Sequence, residues 1–156
     1  MDTLIIFLAK YLVFIEVLGF LYLGYRAKEP NRFIQLTVIT SFIALCLFTL
    51  GRLTYDNPRP FVVTGVPPLV AHAPDNGFPS GHSLAAGIMA VVIASVQPAL
   101  GVVFWIAALL VGAGRVFAGV HHVIDVLASF LIVLLSGYLA RRVPKLLDVR
   151  RFKAKG

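Results

Sequence analysis

Residues 83–114 read SLAAGIMAVVIASVQPALGVVFWIAALLVGAG, 32 positions from Ser83 to Gly114 without a single charge. One α-helix of that length would run about 48 Å at 1.5 Å per residue. That is too long for a hydrocarbon core of about 30 Å. Gln97-Pro98 sits near the middle, and a proline there removes a backbone donor and breaks the helix. The stretch therefore reads as two helices in a tight hairpin, roughly Gly81–Val96 and Ala99–Gly119.

Working outward, two more apolar runs precede the hairpin. Thr3 to Tyr25 is interrupted only by Lys10 and Glu16, and Phe33 to Gly51 carries no charge. Val126 to Ala140 is the last apolar run. Between the second run and the hairpin lies a polar segment with Pro58, Pro60, Pro67, Pro68, Pro74 and Pro79, which cannot be one continuous helix. The expected fold is all-α, a polytopic transmembrane helical bundle of about five spans. It forms a single membrane domain over residues 1–140, followed by a basic tail over 141–156.

Composition agrees with lipid as the main solvent. The 156-residue chain is 59% hydrophobic and 13% charged, whereas soluble domains are roughly 45–50% apolar and about 25% charged. Intrinsic disorder is excluded on the same ground. The formal net charge is +7, but the placement of the cations argues against nucleic acid as a partner. Arg141, Arg142, Lys145, Arg150, Arg151, Lys153 and Lys155 follow the last run, and Arg26, Lys28 and Arg32 share one short turn. This is the pattern of cytoplasmic loops. With five spans, four lie between the two basic regions, so both face the cytoplasm. The Arg52–Pro79 segment and His121 then face outward. The N-terminus lacks a basic leader and reads as a retained span, and the lone Cys46 forms no internal disulfide.

Three polar clusters collect at the outward ends of the spans: Arg52-Leu-Thr-Tyr-Asp-Asn-Pro-Arg59-Pro60, Pro79-Ser80-Gly81-His82, and Arg115-x5-His121-x3-Asp125. His121 and Asp125 are four apart and would share a helix face. A carboxylate there orients the imidazole and raises the basicity of its other nitrogen. Ser80, Gly81 and His82 open a helix whose free N–H groups attract an anion. Arg52, Arg59 and Arg115 present forked donors suited to phosphate oxygens. The set points to a phosphoryl ligand. His72, Asp75 and His122 are expected to be solvated loop residues, and Asn57, with Tyr55 and Asp56, to buttress the arginines. Glu16 lies deep in the first span, where a carboxylate must be neutral or paired.

The clusters resemble the type-2 phosphatidic acid phosphatase superfamily, which also contains vanadium haloperoxidases. Its signature is K-x6-R-P, P-S-G-H and S-R-x5-H-x3-D. Here Arg52 stands for the lysine and Gly114 for the serine, which removes a hydroxyl contact to a phosphate oxygen or water. The resemblance covers Arg52 to Asp125, about half of the chain. It implies that His121 attacks phosphorus to form a phosphohistidine, that Asp125 orients it, and that His82 protonates the leaving oxygen. It further implies that Arg52, Arg59, Arg115, Ser80 and the Gly81 amide hold the phosphoryl oxygens with no metal and no cofactor.

Many membrane members of that family have six spans, which leaves this chain one short at its N-terminus. The expected protein is a multi-pass enzyme of the cell inner (plasma) membrane. It would hydrolyse a lipid phosphate or diphosphate on the extracytoplasmic face. Undecaprenyl diphosphate comes first, with phosphatidylglycerol phosphate, phosphatidate and lipid A phosphates also open. A lipid phosphotransferase using the same intermediate is the near rival, and a non-catalytic lipid or anion transporter the distant one. A soluble haloperoxidase is disfavoured by the spans, and oligomeric state is left open.

Overall fold

The computed structural model describes the backbone of residues 1–153 and the side-chain surroundings of residues 1–143. It contains helices α1 (Asp2–Tyr25), α2 (Pro30–Thr54), α3 (Pro60–Thr64), α4 (Gly81–Val96), α5 (Pro98–Phe117) and α6 (Val123–Lys153). Among the described residues there is no strand, only an isolated antiparallel bridge between Pro58 and Asn76. The protein is the all-α membrane bundle expected from its apolar runs.

The break falls at Gln97, whose backbone is non-helical (φ −141°, ψ 83°), with Pro98 opening α5. Proline suits that position because the first helical N–H has no intrahelical partner. The two helices return along each other so closely that a Cβ on Gly101 would lie 2.4 Å from the Ala94 Cα. A small residue is what permits that approach.

Helices α1, α2, α5 and the Val123–Val143 part of α6 are long and apolar enough to cross a membrane. The 16 residues of α4 make only about 24 Å. It is the central helix, packed against α1, α2, α5 and α6. Leu84, Ala86, Met89, Ala90, Val91, Val92 and Ile93 are buried on its several faces. Large apolar side chains elsewhere point outward, such as Leu18 on α1, Phe42 on α2, Val102 on α5 and Leu131 on α6. A wide apolar exterior of this kind is stable against lipid and costly against water.

The last helix differs from expectation at both ends. It begins at Val123 and continues through Lys153, so Arg141 and Arg142 lie on α6 and not beyond it. Arg141 Nη1 donates to Ser95 Oγ at 3.0 Å, near the C-terminal end of α4. Residues 154–156 of the expected tail, and the side-chain surroundings of Lys145, Arg150, Arg151 and Lys153, lie outside the described residues. Glu16 is buried on α1, and neither carboxylate oxygen has a hydrogen-bond partner among the described residues. Of the two expected alternatives, neutral or paired, the arrangement of the described residues favours the neutral one.

Candidate active site

One end of the bundle gathers all three polar clusters. The hairpin brings the start of α4 and the end of α5 to that end, and the turn after α5 leads into α6. Ser80 N donates to the Asp125 carbonyl at 3.1 Å. Ser129 Oγ lies 2.9 Å from the Ser80 carbonyl and 2.8 Å from that of Asp125. These bonds tie the second cluster to the third.

His121 is 3% exposed. It lies in the turn before α6 and not on the helix itself, so the sequence expectation of a shared helical face needs correcting. The four-residue spacing works differently. Asp125 sits in the first turn of α6, and its Oδ2 accepts from the His122 backbone N–H at 2.8 Å. That bond caps the helix and folds the carboxylate back toward His121. His121 Nδ1 then donates to Oδ2 at 3.3 Å, while Asn57 Nδ2 donates to Oδ1 at 2.7 Å. With Nδ1 so engaged, Nε2 carries the lone pair. Arg59 Nη1 faces it at 3.3 Å and also donates to the Val120 carbonyl at 2.8 Å. Burial pulls the His121 pKa below the ordinary imidazole value, and the Arg115 and Arg59 charges add to this; the hydrogen bond to Asp125 opposes it. The balance favours a neutral ring at neutral pH.

Arg59 caps α3 with extended backbone, and Pro60 follows at the first helical position. The guanidinium is 3% exposed in residue terms. Arg115 reaches the same region from the last turn of α5 and is equally buried. Its Nη1 donates to the Ala9 carbonyl at 3.3 Å, and its Nε and Nη2 have no partner among the described residues. His82 sits in the first turn of α4, at the same end of the bundle. Ser80 Oγ caps α4 by accepting from the Ser83 N–H at 3.5 Å and also accepts from Ser83 Oγ at 3.0 Å, which leaves its own proton to donate elsewhere. A Cβ on Gly81 would meet nothing within 4 Å.

Arg52 stands apart. Its Nη1 donates to the Asn76 carbonyl at 3.0 Å and its Nη2 to Asp75 Oδ2 at 2.6 Å. Asp75 Oδ1 in turn accepts from Arg59 Nε at 2.9 Å. One carboxylate thus joins both arginines of the first cluster. Burial alone would raise the Asp75 pKa, but the bonds from Arg59 and Arg52 win and hold it below the usual carboxylate value. Asp75 keeps the exposure expected of a solvated loop residue, its side chain 44% exposed, while it holds both arginines; for His72, expected to be solvated too, the structure differs. The His72 ring instead lies 6.2 Å from that of His121, edge to face. Neither carries a signal in sequence, because the loop between Gly65 and Ser80 has no periodicity. Asn76 organises that loop. Its Oδ1 accepts from the N–H groups of Asn57 and Phe78, and its Nδ2 donates to the Arg52 and Tyr55 carbonyls. His122, also expected to be peripheral, turns its ring Nε2 to the Pro58 carbonyl at 3.1 Å.

A buried histidine thus sits between a carboxylate and the Arg59 guanidinium, with buried Arg115 in the same region, at the end of a bundle of apolar helices. The PAP2 superfamily pattern matches residues 33–147. The chain belongs to that superfamily, as a multi-pass membrane phosphatase of its type. Undecaprenyl-diphosphatase BcrC of Bacillus subtilis (strain 168) is 29% identical over 148 residues, spanning 94% of this chain and 77% of that protein. Bacitracin transport permease protein BcrC of Bacillus licheniformis is 27% identical over 151 residues, spanning 94% and 73%. The crystal structure of Aquifex aeolicus LpxE superposes with a TM-score of 0.63 at 24% identity, over 90% of this chain and 83% of that one, and shares the fold.

Proposed function

We propose that this protein hydrolyses the phosphate of a lipid phosphate or diphosphate, undecaprenyl diphosphate first, through a phosphohistidine on His121. The observation that carries the reading is the His121 geometry, with Nδ1 bound to Asp125 and Nε2 facing Arg59 in a buried site. In the first step Nε2 attacks phosphorus and the bond to the lipid-side oxygen breaks, with His82 giving that oxygen its proton. In the second, water attacks the phosphohistidine and gives a proton back to His82, inorganic phosphate leaves, and His121 recovers its lone pair. Arg59 and Arg115 offset the negative charge that gathers on the phosphoryl oxygens. Ser80 and the N–H groups at the start of α4 add donors, and Arg52 acts from the edge through Asp75.

The reaction runs without metal, because fixed guanidinium groups supply the charge a cation would bring. Among the described residues no group of three or more His, Cys, Asp or Glu side chains is placed to hold a metal ion. The undecaprenyl diphosphate choice is supported by the name of the Bacillus subtilis relative, and the outward orientation expected from the charge pattern would suit a carrier lipid recycled outside the cell. The other relative is named as a transport permease. Transport alone gives no reason for a carboxylate to hold a buried histidine, so hydrolysis remains the better reading.

The test is phosphate release from undecaprenyl diphosphate by purified protein in detergent, with no lipid acceptor added. Release that vanadate blocks and EDTA leaves intact is expected, since vanadate adopts the five-coordinate geometry of the transferring phosphoryl group. Release only on adding an acceptor lipid would make the enzyme a phosphotransferase. Activity lost to EDTA and restored by magnesium would overturn the metal-free mechanism.

A further inference from the structure

The superfamily match begins at Phe33, so all of α1 precedes it. Even so, α1 reaches the site. Phe7–Tyr11 forms a π-helical turn inside the helix, a widening that inserts one residue and often marks functional positions. Within that turn the Ala9 carbonyl accepts from Arg115 Nη1. Gly114, the residue before Arg115, lies directly against the same turn. A Cβ there would sit 2.7 Å from Ala9 N, 2.8 Å from Leu8 Cβ and 2.9 Å from the Leu8 carbonyl carbon. Two of those atoms are backbone and cannot swing aside. Ala9 also packs with Val70, Ala118 and Val120, the last of these adjoining His121.

The departure from the family's serine at position 114 therefore has a steric cause in this chain. We propose that α1 is a positioning element of the active site: its π turn aims the Arg115 guanidinium through the Ala9 carbonyl, and position 114 is glycine to admit that turn. With Nη1 held by the backbone, the buried Nε and Nη2 edge is left to face the anion. This rests on the role proposed for Arg115 in holding the phosphoryl group.

Restoring the family residue, Gly114→Ser, is expected to lower kcat/KM and weaken vanadate inhibition, each by about tenfold or more. In an Arg115→Lys background the same change should add little, because the group it disturbs is already gone. Activity is compared per folded, monodisperse protein. Deleting Lys10 provides a second route, since removing one residue returns the π turn to ordinary helix without touching Gly114, and the same loss of vanadate affinity is expected. Wild-type behaviour of Gly114→Ser or of the Lys10 deletion would overturn the proposal. So would an equal loss from Gly114→Ser with and without Arg115. His121→Ala measured alongside separates the two readings. If it stays active, the phosphohistidine reading fails; if it is dead while Gly114→Ser is normal, only the role of α1 fails.

Discussion

At the scale of single residues, the chemistry turns on which nitrogen of His121 is free. Asp125 takes Nδ1 and Arg59 faces Nε2. His121→Ala should cost several orders of magnitude in turnover while the protein stays folded; more than about a tenth of wild-type activity remaining would refute a covalent histidine. The pH profile gives a second check. Attack needs neutral His121, and its pKa lies below the ordinary imidazole value of about 6.5. The acid limb of kcat/KM should therefore fall below that pH, with activity rising as pH increases through it. Asp125→Asn removes the partner that raises the pKa, so the limb should move to lower pH while kcat drops for want of the right tautomer. A limb that moved upward would mean that another group titrates there.

Individual elements owe their places to small residues and to prolines. Helix α4 is short and buried, and it holds the start of the site because Gln97-Pro98 turns the chain back after Val96. Gly101 on Ala94 is the tightest point of that hairpin. Gly101→Val should force the two helices apart and cost roughly 1–3 kcal/mol, as overpacked cores do. Thermal unfolding in detergent reads this directly, and an unchanged midpoint would show that the hairpin tolerates the volume. The loop between α2 and α4 is organised differently, by polar bonds from Asn76, Asn57 and Asp75 beside a small apolar anchor in which Val70 packs with Ala9, Ala118 and Val120.

For the whole molecule, the distribution of charge predicts which end faces out. The Arg26–Arg32 turn and the start of α5 lie at the end opposite the site, so the positive-inside pattern puts His121 outside. Single cysteines in a Cys46→Ser background test this. Val120 is fully buried and unsuited to labelling, whereas Val66 and Phe117 are 65% and 72% exposed at the site end. Cysteines at Val66 and Phe117 should react with an impermeant reagent applied from outside, and one at Lys28 should not. Reaction of Lys28 alone would invert the orientation, and Val66 and Phe117 reacting from opposite sides would break the bundle as described.

The sequence alone determined the five long helices, the break at Gln97-Pro98 and the three polar clusters that meet at one end of the bundle, but not the short α3. Apolar length, proline and the spacing of His121 to Asp125 are local properties, and local properties survive in a string of letters. Tertiary structure decided the rest. Asp75 and His72 acquired their places only when the loop folded back against Arg52, Arg59 and His121, because no periodicity aims a loop residue. The four-residue spacing of His121 and Asp125 was read correctly as a pair but for the wrong reason, since a capping carboxylate and not a helical face joins them. Gly114 looked like a lost hydroxyl until α1 was packed against it. Its reason is a contact between residues more than a hundred positions apart, and a steric limit of that kind exists only once the helices are in place.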